Sequence, residues 1–472
     1  MHEPPPHPQQ QPYALPLPPA AGHYAPRRAL WDTLWDNKAV RIGAVFLLLA
    51  LCGLIILALV REQTGTEGFL VGLGLAVLPV PLLIAAFRWM DRVEPKPWKS
   101  LIFAFAWGAC AATLVAILAN GYATKWLLTT VAGAQREDAA GWGATFVAPV
   151  VEESAKAAAI LLLYLFRRRD FNGIVDGVVV AGITATGFAF TENILYLGNA
   201  FANDQSFGYE GLRSTTAATF FVRVLMSPFA HPLFTSMTGL GFGLAATLPQ
   251  HRRLLRWLVP VGALLTAMLL HGLWNGSATL PGAGFLAVYA LFMVPVFALL
   301  TWLTLWSRQN ELRTIQTHLP AYQSAGWLTP PEPHALSSMR ARGIARDLAR
   351  RHGGPTAARI VAEYISYATS LAFLRHRALR GTPDPAFGAR EAELLHHLWQ
   401  RREVAQPALA SAVAGVASAR PPFAAGAGAP YGTPPQGWSP PVPGVPTQGW
   451  GAPTPPGPTP SPAWGQTPGQ HR

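Results

Sequence analysis

Between about residue 40 and residue 306 the chain alternates apolar stretches of roughly 20 residues with short polar or basic connections. A helix that crosses a bilayer needs about 20 mostly apolar residues at a rise of about 1.5 Å each. The pattern predicts eight such spans, at Val40–Val60, Phe69–Arg88, Leu101–Gly121, Ala144–Phe166, Ile174–Leu197, Thr219–Leu248, Leu254–Leu273 and Phe285–Trp306. The first is expected to be a span and not a cleaved leader, because its apolar run is long and a Pro-rich segment precedes it. The expected fold is therefore all-α: a polytopic transmembrane helix bundle over residues 40–307.

The flanks read differently. Residues 1–39 are rich in Pro and Gln, lack an apolar period and are expected to be disordered. Residues 308–405 contain helical stretches. Within Ala357–Leu374, the positions Ile360, Val361, Tyr364, Ile365, Ala368 and Leu371 share one face, which can pack or lie on a membrane surface. Residues 406–472 form a Pro, Gly, Ala and Thr tail with a loose repeat ending at Trp438 and Trp450. Such a tail is expected to be disordered, and it could recruit a protein partner.

Composition supports the membrane reading. Half of the residues are hydrophobic, 13% are charged and the mean hydropathy is +0.24, whereas a soluble protein carries about 25% charge. Cys52 and Cys110 both lie in apolar runs, so neither a disulfide framework nor a Cys-x-x-Cys metal knuckle is available. The net charge of +12 could suggest nucleic acid, but its placement argues against such a partner. Fourteen basic residues flank one set of connections (Arg27, Arg28, Lys38, Arg41; Arg88, Arg92, Lys96, Lys99; Arg167, Arg168, Arg169; Arg252, Arg253, Arg256). The alternate set holds four: Arg61, Lys125, Arg136 and Arg213. This bias places both termini, the helical 308–405 segment and the tail in the cytoplasm.

Several spans carry polar residues that hydrocarbon does not tolerate cheaply. A charge near the bilayer centre costs at least about 2.5–3.5 kcal/mol on insertion scales. The fourth span nevertheless holds Glu152, Glu153 and Lys156; the fifth holds Glu192 and Asn193; the sixth His231; the seventh His271 and Asn275. At the helical rise these groups can converge at one level, in the outer half of the membrane. Glu152 and Lys156 are four apart and share a face, while Glu153 points about 100° away, so spacing favours Glu152 as the structural partner and Glu153 as the free group, although Glu153 can also reach the lysine. A free carboxylate there could bind a metal or act as general base. Two Glu and two His from different helices also make a plausible set of zinc ligands and supporting groups. Each residue has a plainer reading. Glu152–Lys156 could be a structural ion pair, Glu192-Asn193 a bond to a neighbouring helix, His231-Pro232 a kink, and His271–Asn275 a bonded pair. Arg223 and Asp176 read as boundary residues whose charges snorkel.

No His-Glu-x-x-His or Gly-x-Ser-x-Gly occurs, and Gly239-Leu-Gly-Phe-Gly lacks an aspartate, which weakens zincin, serine and aspartyl types. Glu152-Glu153-x-x-Lys156 and Phe188-x-x-x-Glu192-Asn193 instead resemble the two motifs of the PrsW family of intramembrane metalloproteases, over about residues 40–306. His231 and His271 fall where that family has helix-borne histidines. His271-x-x-x-Asn275 resembles an element of the broader clan that includes CAAX prenyl endopeptidases, for which a glutamate-activated water without a catalytic metal is the alternative. The resemblance implies a divalent metal, zinc by the family name, and a membrane-anchored protein substrate, an anti-sigma factor in the best-known case. It also implies a bacterial cell membrane.

The expected enzyme is thus an endopeptidase embedded in the lipid bilayer. Glu153 or Glu152, with Lys156 beside them, supplies the base; Glu192, His231 and His271 are the candidate metal ligands; Asn193 and Asn275 steady the developing oxyanion. The rivals are a proton-coupled transporter and a scaffold that acts through its tail. The topology is directly testable. A reporter fused after Arg169 should read cytoplasmic and one fused near Gln205 external; the same side for both would contradict the charge count.

Overall fold

A computed structural model describes residues 37–130, 141–167, 171–381 and 386–418. The expected disordered ends therefore lie mostly outside the described residues. Met1–Leu51 and Cys52–Arg472 form two compact units, and the first contributes only residues 37–51 to the description. Every regular element among the described residues is helical. The helices are α1 (Lys38–Val77), α2 (Pro79–Met90), α3 (Trp98–Ala106), α4 (Thr113–Thr130), α5 (Ala148–Phe166), α6 (Ile174–Phe207), α7 (Thr215–Phe220) and α8 (Ala230–Thr247). They continue with α9 (Arg253–Ser277), α10 (Gly284–Val288), α11 (Val294–His318), α12 (Pro320–Ser324), α13 (Glu332–Leu336), α14 (Met339–Leu379) and α15 (Phe387–Ser418). The all-α, polytopic helix bundle is the fold.

Among the described residues six helical stretches are long and apolar enough to cross a membrane, where the pattern predicted eight. The difference has two physical sources. Val40–Val60 and Phe69–Arg88 fall in one stretch, Ala39–Met90, bent at Gly65, where φ is 71°. At about 1.5 Å per residue its 52 residues are long enough for two crossings. The fourth predicted span forms the 19-residue α5, whose Glu152, Glu153 and Lys156 make it too polar to count by composition alone.

Helix α6 is the axis of the bundle: 94% of its most apolar stretch is buried, against 11% for Gly284–Ser324. Small residues let its neighbours approach backbone to backbone, as helices in lipid require. A Cβ at Gly177 would lie 1.9 Å from the Gly239 carbonyl oxygen of α8, and one at Gly108 would lie 1.9 Å from the Thr184 oxygen of α6. Gly108 sits in a π-helical turn, Trp107–Ala112, that joins α3 to α4. Similar turns at Gly143–Val147 and Phe221–Met226 lead into α5 and follow α7.

Beyond the apolar stretches, α13 to α15 pack around their own core with the end of α11 and with α12. Of the face anticipated on α14, Val361, Tyr364, Ile365, Ala368 and Leu371 are buried there in one core with Leu395, Leu398 and Leu409, while Ile360 is half-buried. That face packs protein; it does not lie on lipid. Residues 406–418, expected to open the tail, instead belong to α15, which continues to Ser418 through Pro407; the rest of the expected tail lies outside the described residues. Burial of Leu409 and Ala412 in this core outweighs the proline's helix-breaking tendency. The core reaches the bundle through Val93, whose carbonyl accepts from Arg342 Nη1 at 2.9 Å, and through Glu94, which accepts from Ser370 Oγ at 3.1 Å and from Asn172. Burial lowers the Arg342 pKa to about 10, so the side chain stays charged at neutral pH.

The backbone approach at α6–α8 generates a stability prediction. Gly177→Ala should lower the thermal midpoint of the purified protein by several degrees, an overpacking cost of about 1–3 kcal/mol. Gly262→Ala, where a Cβ meets nothing within 4 Å, should not. Equal midpoints for the two variants would contradict the packing described.

Candidate active site

Helix α5 begins with Ala148-Pro149, and the proline suits the first turn because it needs no hydrogen-bond donor there. One turn later Glu152, Glu153 and Lys156 all turn inward; Glu153 and Lys156 are 0% exposed and Glu152 is 4% exposed. Burying three ionised groups is tolerable only if each is paired. The Lys156 ammonium does most of the pairing. It lies 2.9 Å from Glu153 Oε1, 3.3 Å from Glu152 Oε2, 3.3 Å from His231 Nδ1 and 3.7 Å from the centre of the Phe188 ring.

The spacing argument gave the lysine to Glu152. The structure gives it to both glutamates, with the closer contact to Glu153. Glu153 is also the more fully used. It accepts from Thr235 Oγ1 at 2.8 Å and lies 3.1 Å from His271 Nδ1. Glu152 is held loosely, with Asn120 Nδ2 at 3.5 Å and His271 Nε2 at 3.8 Å.

Elementary donor–acceptor rules then fix the two histidines. An ammonium has only donors, so His231 Nδ1 must be the unprotonated nitrogen, and Nε2–H donates to Glu192 Oε2 at 2.7 Å. A carboxylate only accepts, so His271 Nδ1 carries the hydrogen toward Glu153, which leaves Nε2 of the neutral ring bare on the Glu152 side. The rings meet edge to face at 87°, 5.2 Å apart, and Phe234 stacks on His271 at 4.9 Å. Glu152, His231 and His271 offer three donor atoms within 4.8 Å of one another. Glu192 and Glu153 stand behind the histidines, each orienting one ring.

Glu192 is in turn ion-paired to Arg223, whose Nε donates to Asn193 Oδ1 at 2.8 Å. Beside this pair lies a cavity of about 250 Å³ lined by Asn193, Arg223, His231, Trp274 and Asn275 among others. Asn275 does not bond to His271. Its Nδ2 donates to the Ala144 carbonyl at 2.9 Å, across to the turn before α5.

All eight residues singled out from the sequence thus meet at one place. Sequence reasoning missed Arg223, Thr235 and Asn120. Asn120 and Thr235 look like ordinary helix residues, and nothing in their local pattern sets them apart. Arg223 carried a signal, a basic residue within an apolar run four residues before Ser227-Pro228, but it was read as a boundary charge. Asp176 was read in the same way and instead pairs with the buried Lys96 at 2.5 Å, near the C-terminal helices.

With the geometry in place, comparison with known proteins is decisive over the bundle. Residues 96–300 match the profile described as PrsW family intramembrane metalloprotease. Over this stretch the chain is PrsW-like. It is 25% identical over 199 residues to Protease PrsW of Geobacillus kaustophilus (strain HTA426), a match covering 42% of this chain and 76% of that protein. No solved structure matches it. The PrsW match includes every site residue, from Asn120 to Asn275, and leaves out α12–α15. The match supports a membrane-embedded peptide hydrolase, and the description of the matched family brings a divalent metal with it. The residues present fit such an ion. Three potential ligand atoms converge, both histidines are tied back by carboxylates in the manner of histidine metal ligands, and the buried Asn120 Oδ1 has no partner beside them.

Proposed function

We propose that the chain is an intramembrane endopeptidase that cuts membrane-anchored proteins, with Glu152 as the group that takes the proton of the attacking water. The observation that carries this reading is the inequality of the two adjacent glutamates. Glu153 has three partners within 3.1 Å, whereas no partner of Glu152 lies closer than 3.3 Å. Three close hydrogen bonds leave Glu153 little capacity to take a proton, whereas the loosely held Glu152 keeps more of its lone pairs available. The roles expected from helical spacing are therefore exchanged.

Glu152, His231 Nδ1 and His271 Nε2 would hold the divalent ion. Two imidazoles and a carboxylate with an open fourth position suit catalytic zinc. When bound, such an ion supplies Lewis acidity to water and to the scissile carbonyl. Oε2 of Glu152 faces His271 and Lys156, while Oε1 faces Asn120, so one oxygen can serve the ion and the other the proton. Lys156 neutralises the carboxylate pair, and Glu192 is a support for His231 in place of the ligand role expected of it. Asn193 and Asn275 border the cavity in which a strained peptide bond and water can meet. The basic connections support cytoplasmic termini and a site toward the outer face of the bacterial plasma membrane. A single-span anti-sigma factor is the substrate suggested by the family resemblance.

One observation favours a second reading. Lys156 Nζ already lies between two of the three donor atoms, at 3.3 Å from each, and balances their charge as an ion would. In that case Glu152 acts as base without a metal.

The test is Glu152→Gln and Glu153→Gln, made separately and assayed for midpoint of unfolding and for cleavage of a membrane-anchored substrate in proteoliposomes. Glu152→Gln should keep the midpoint of metal-free wild type and lose turnover by at least about a hundredfold. Glu153→Gln should unfold more easily by about 3–5 kcal/mol, because it removes the nearest carboxylate from a buried ammonium that Glu152 alone then balances at a longer distance. A chelator that abolishes wild-type cleavage, with restoration by zinc, supports the metal reading; chelator-resistant cleavage supports the second. Full activity of stable Glu152→Gln would contradict both.

A further inference from the structure

Arg223 sits in the π-helical turn Phe221–Met226, a wider turn of the kind that recurs at functional sites. The turn closes where Ser227 donates back to the Val222 carbonyl, Oγ at 2.6 Å and N at 2.9 Å. This geometry turns the guanidinium into the bundle, where the Tyr196 ring lies 3.9 Å from its central carbon. Two of its nitrogens then address two consecutive residues of α6: Nη2 donates to Glu192 Oε2 and Nε to Asn193 Oδ1.

Both contacts have consequences for proton placement. Arginine has no acceptor atom, so the Asn193 atom facing it must be the oxygen, and Nδ2 is turned the other way. Asn193 and Arg223 both line the 250 Å³ cavity next to His231. The Glu192 oxygen that meets Arg223 is the same one that accepts His231 Nε2–H. One side chain therefore governs the carboxamide at the cavity wall and the carboxylate behind a histidine.

We propose that Arg223 is a positioning residue for peptide hydrolysis. It fixes the Asn193 amide so that Nδ2 can donate to the peptide carbonyl oxygen in the cavity, and it fixes Glu192 so that His231 keeps its hydrogen on Nε2. The inference rests on the proteolytic reading above. Lysine cannot substitute, since a single ammonium does not reproduce a planar fork that spans two acceptors.

The experiment compares wild type, Arg223→Gln, Arg223→Lys, Asn193→Ala and Arg223→Gln/Asn193→Ala in proteoliposomes with a membrane-anchored substrate. KM and kcat are measured separately, together with the unfolding midpoint. The ring-nitrogen NMR shifts of His231 are recorded in protein labelled at histidine with ¹⁵N. Both Arg223 variants should keep a KM within about twofold and lose kcat by about tenfold or more, in line with loss of groups that orient a site. The double variant should lose less than the product of its parents, because Arg223 acts partly through Asn193. Recorded in chelator-treated protein, the wild-type shifts should show hydrogen on Nε2 and none on Nδ1, and Arg223→Gln should mix the two forms. A purely structural arginine would lower the midpoint and leave kcat and shifts alone. That outcome, or multiplicative losses in the double variant, overturns the proposal. If wild type cleaves nothing, the proteolytic reading falls while the nitrogen shifts still decide the role of Arg223: unchanged shifts in Arg223→Gln reject it.

Discussion

The ammonium of Lys156 is the constraint around which the centre of this bundle is arranged. A fully buried lysine must find its charge balance within the protein, and here two glutamates, a histidine nitrogen and an aromatic face supply it. Satisfying it dictates the rest. Glu153 is drawn close and saturated, so it can hold His271 in one proton arrangement. His231 must present a nitrogen without hydrogen to the ammonium, which sends its hydrogen toward Glu192, the carboxylate that Arg223 also pairs. Glu152 receives what remains and stays loosely held. The chemistry proposed for Glu152 follows from how thoroughly its neighbours are used.

Such a site needs a rigid frame, and α6 provides it. Its glycines at positions 177, 182 and 187 let other elements come within reach of its backbone, so the glutamate and asparagine it carries cannot easily shift. The π-helical turns beside it serve the opposite purpose. They widen the helix locally and rotate side chains such as Arg223 away from the register that a plain helix would give. Close packing fixes one wall of the site; irregular turns place the groups on the other.

Much of this was legible from residue types. Twenty-residue apolar runs announced the bundle, and charged or imidazole groups inside those runs announced a site, because hydrocarbon makes them too expensive to keep without use. The family motifs at Glu152-Glu153 and Glu192-Asn193 pointed to the same place. Finer features were hidden for physical reasons. Helical spacing shows which side chains can meet but not which will be saturated, so it favoured Glu152 for Lys156 where the structure gives the lysine to both and the closer contact to Glu153. The span count depended on where one long apolar helix bends, which Gly65 alone hints at. The length of α15 was obscured by Pro407, since only burial of Leu409 and Ala412 in a distant core outweighs it. Arg223 was overlooked because its meaning lies in contacts 30 residues away in sequence.

The central claim is that Glu152, His231 and His271 form the ion-binding set, with Glu192 standing behind His231. The most direct measurement is the zinc content of purified protein, with X-ray absorption of the bound ion, in wild type, Glu152→Gln and Glu192→Gln. The account predicts two imidazoles and a carboxylate around the ion in wild type, loss of the ion in Glu152→Gln, and retention with weakened affinity and the same ligands in Glu192→Gln. Loss of the ion in Glu192→Gln, with full retention in Glu152→Gln, would contradict it.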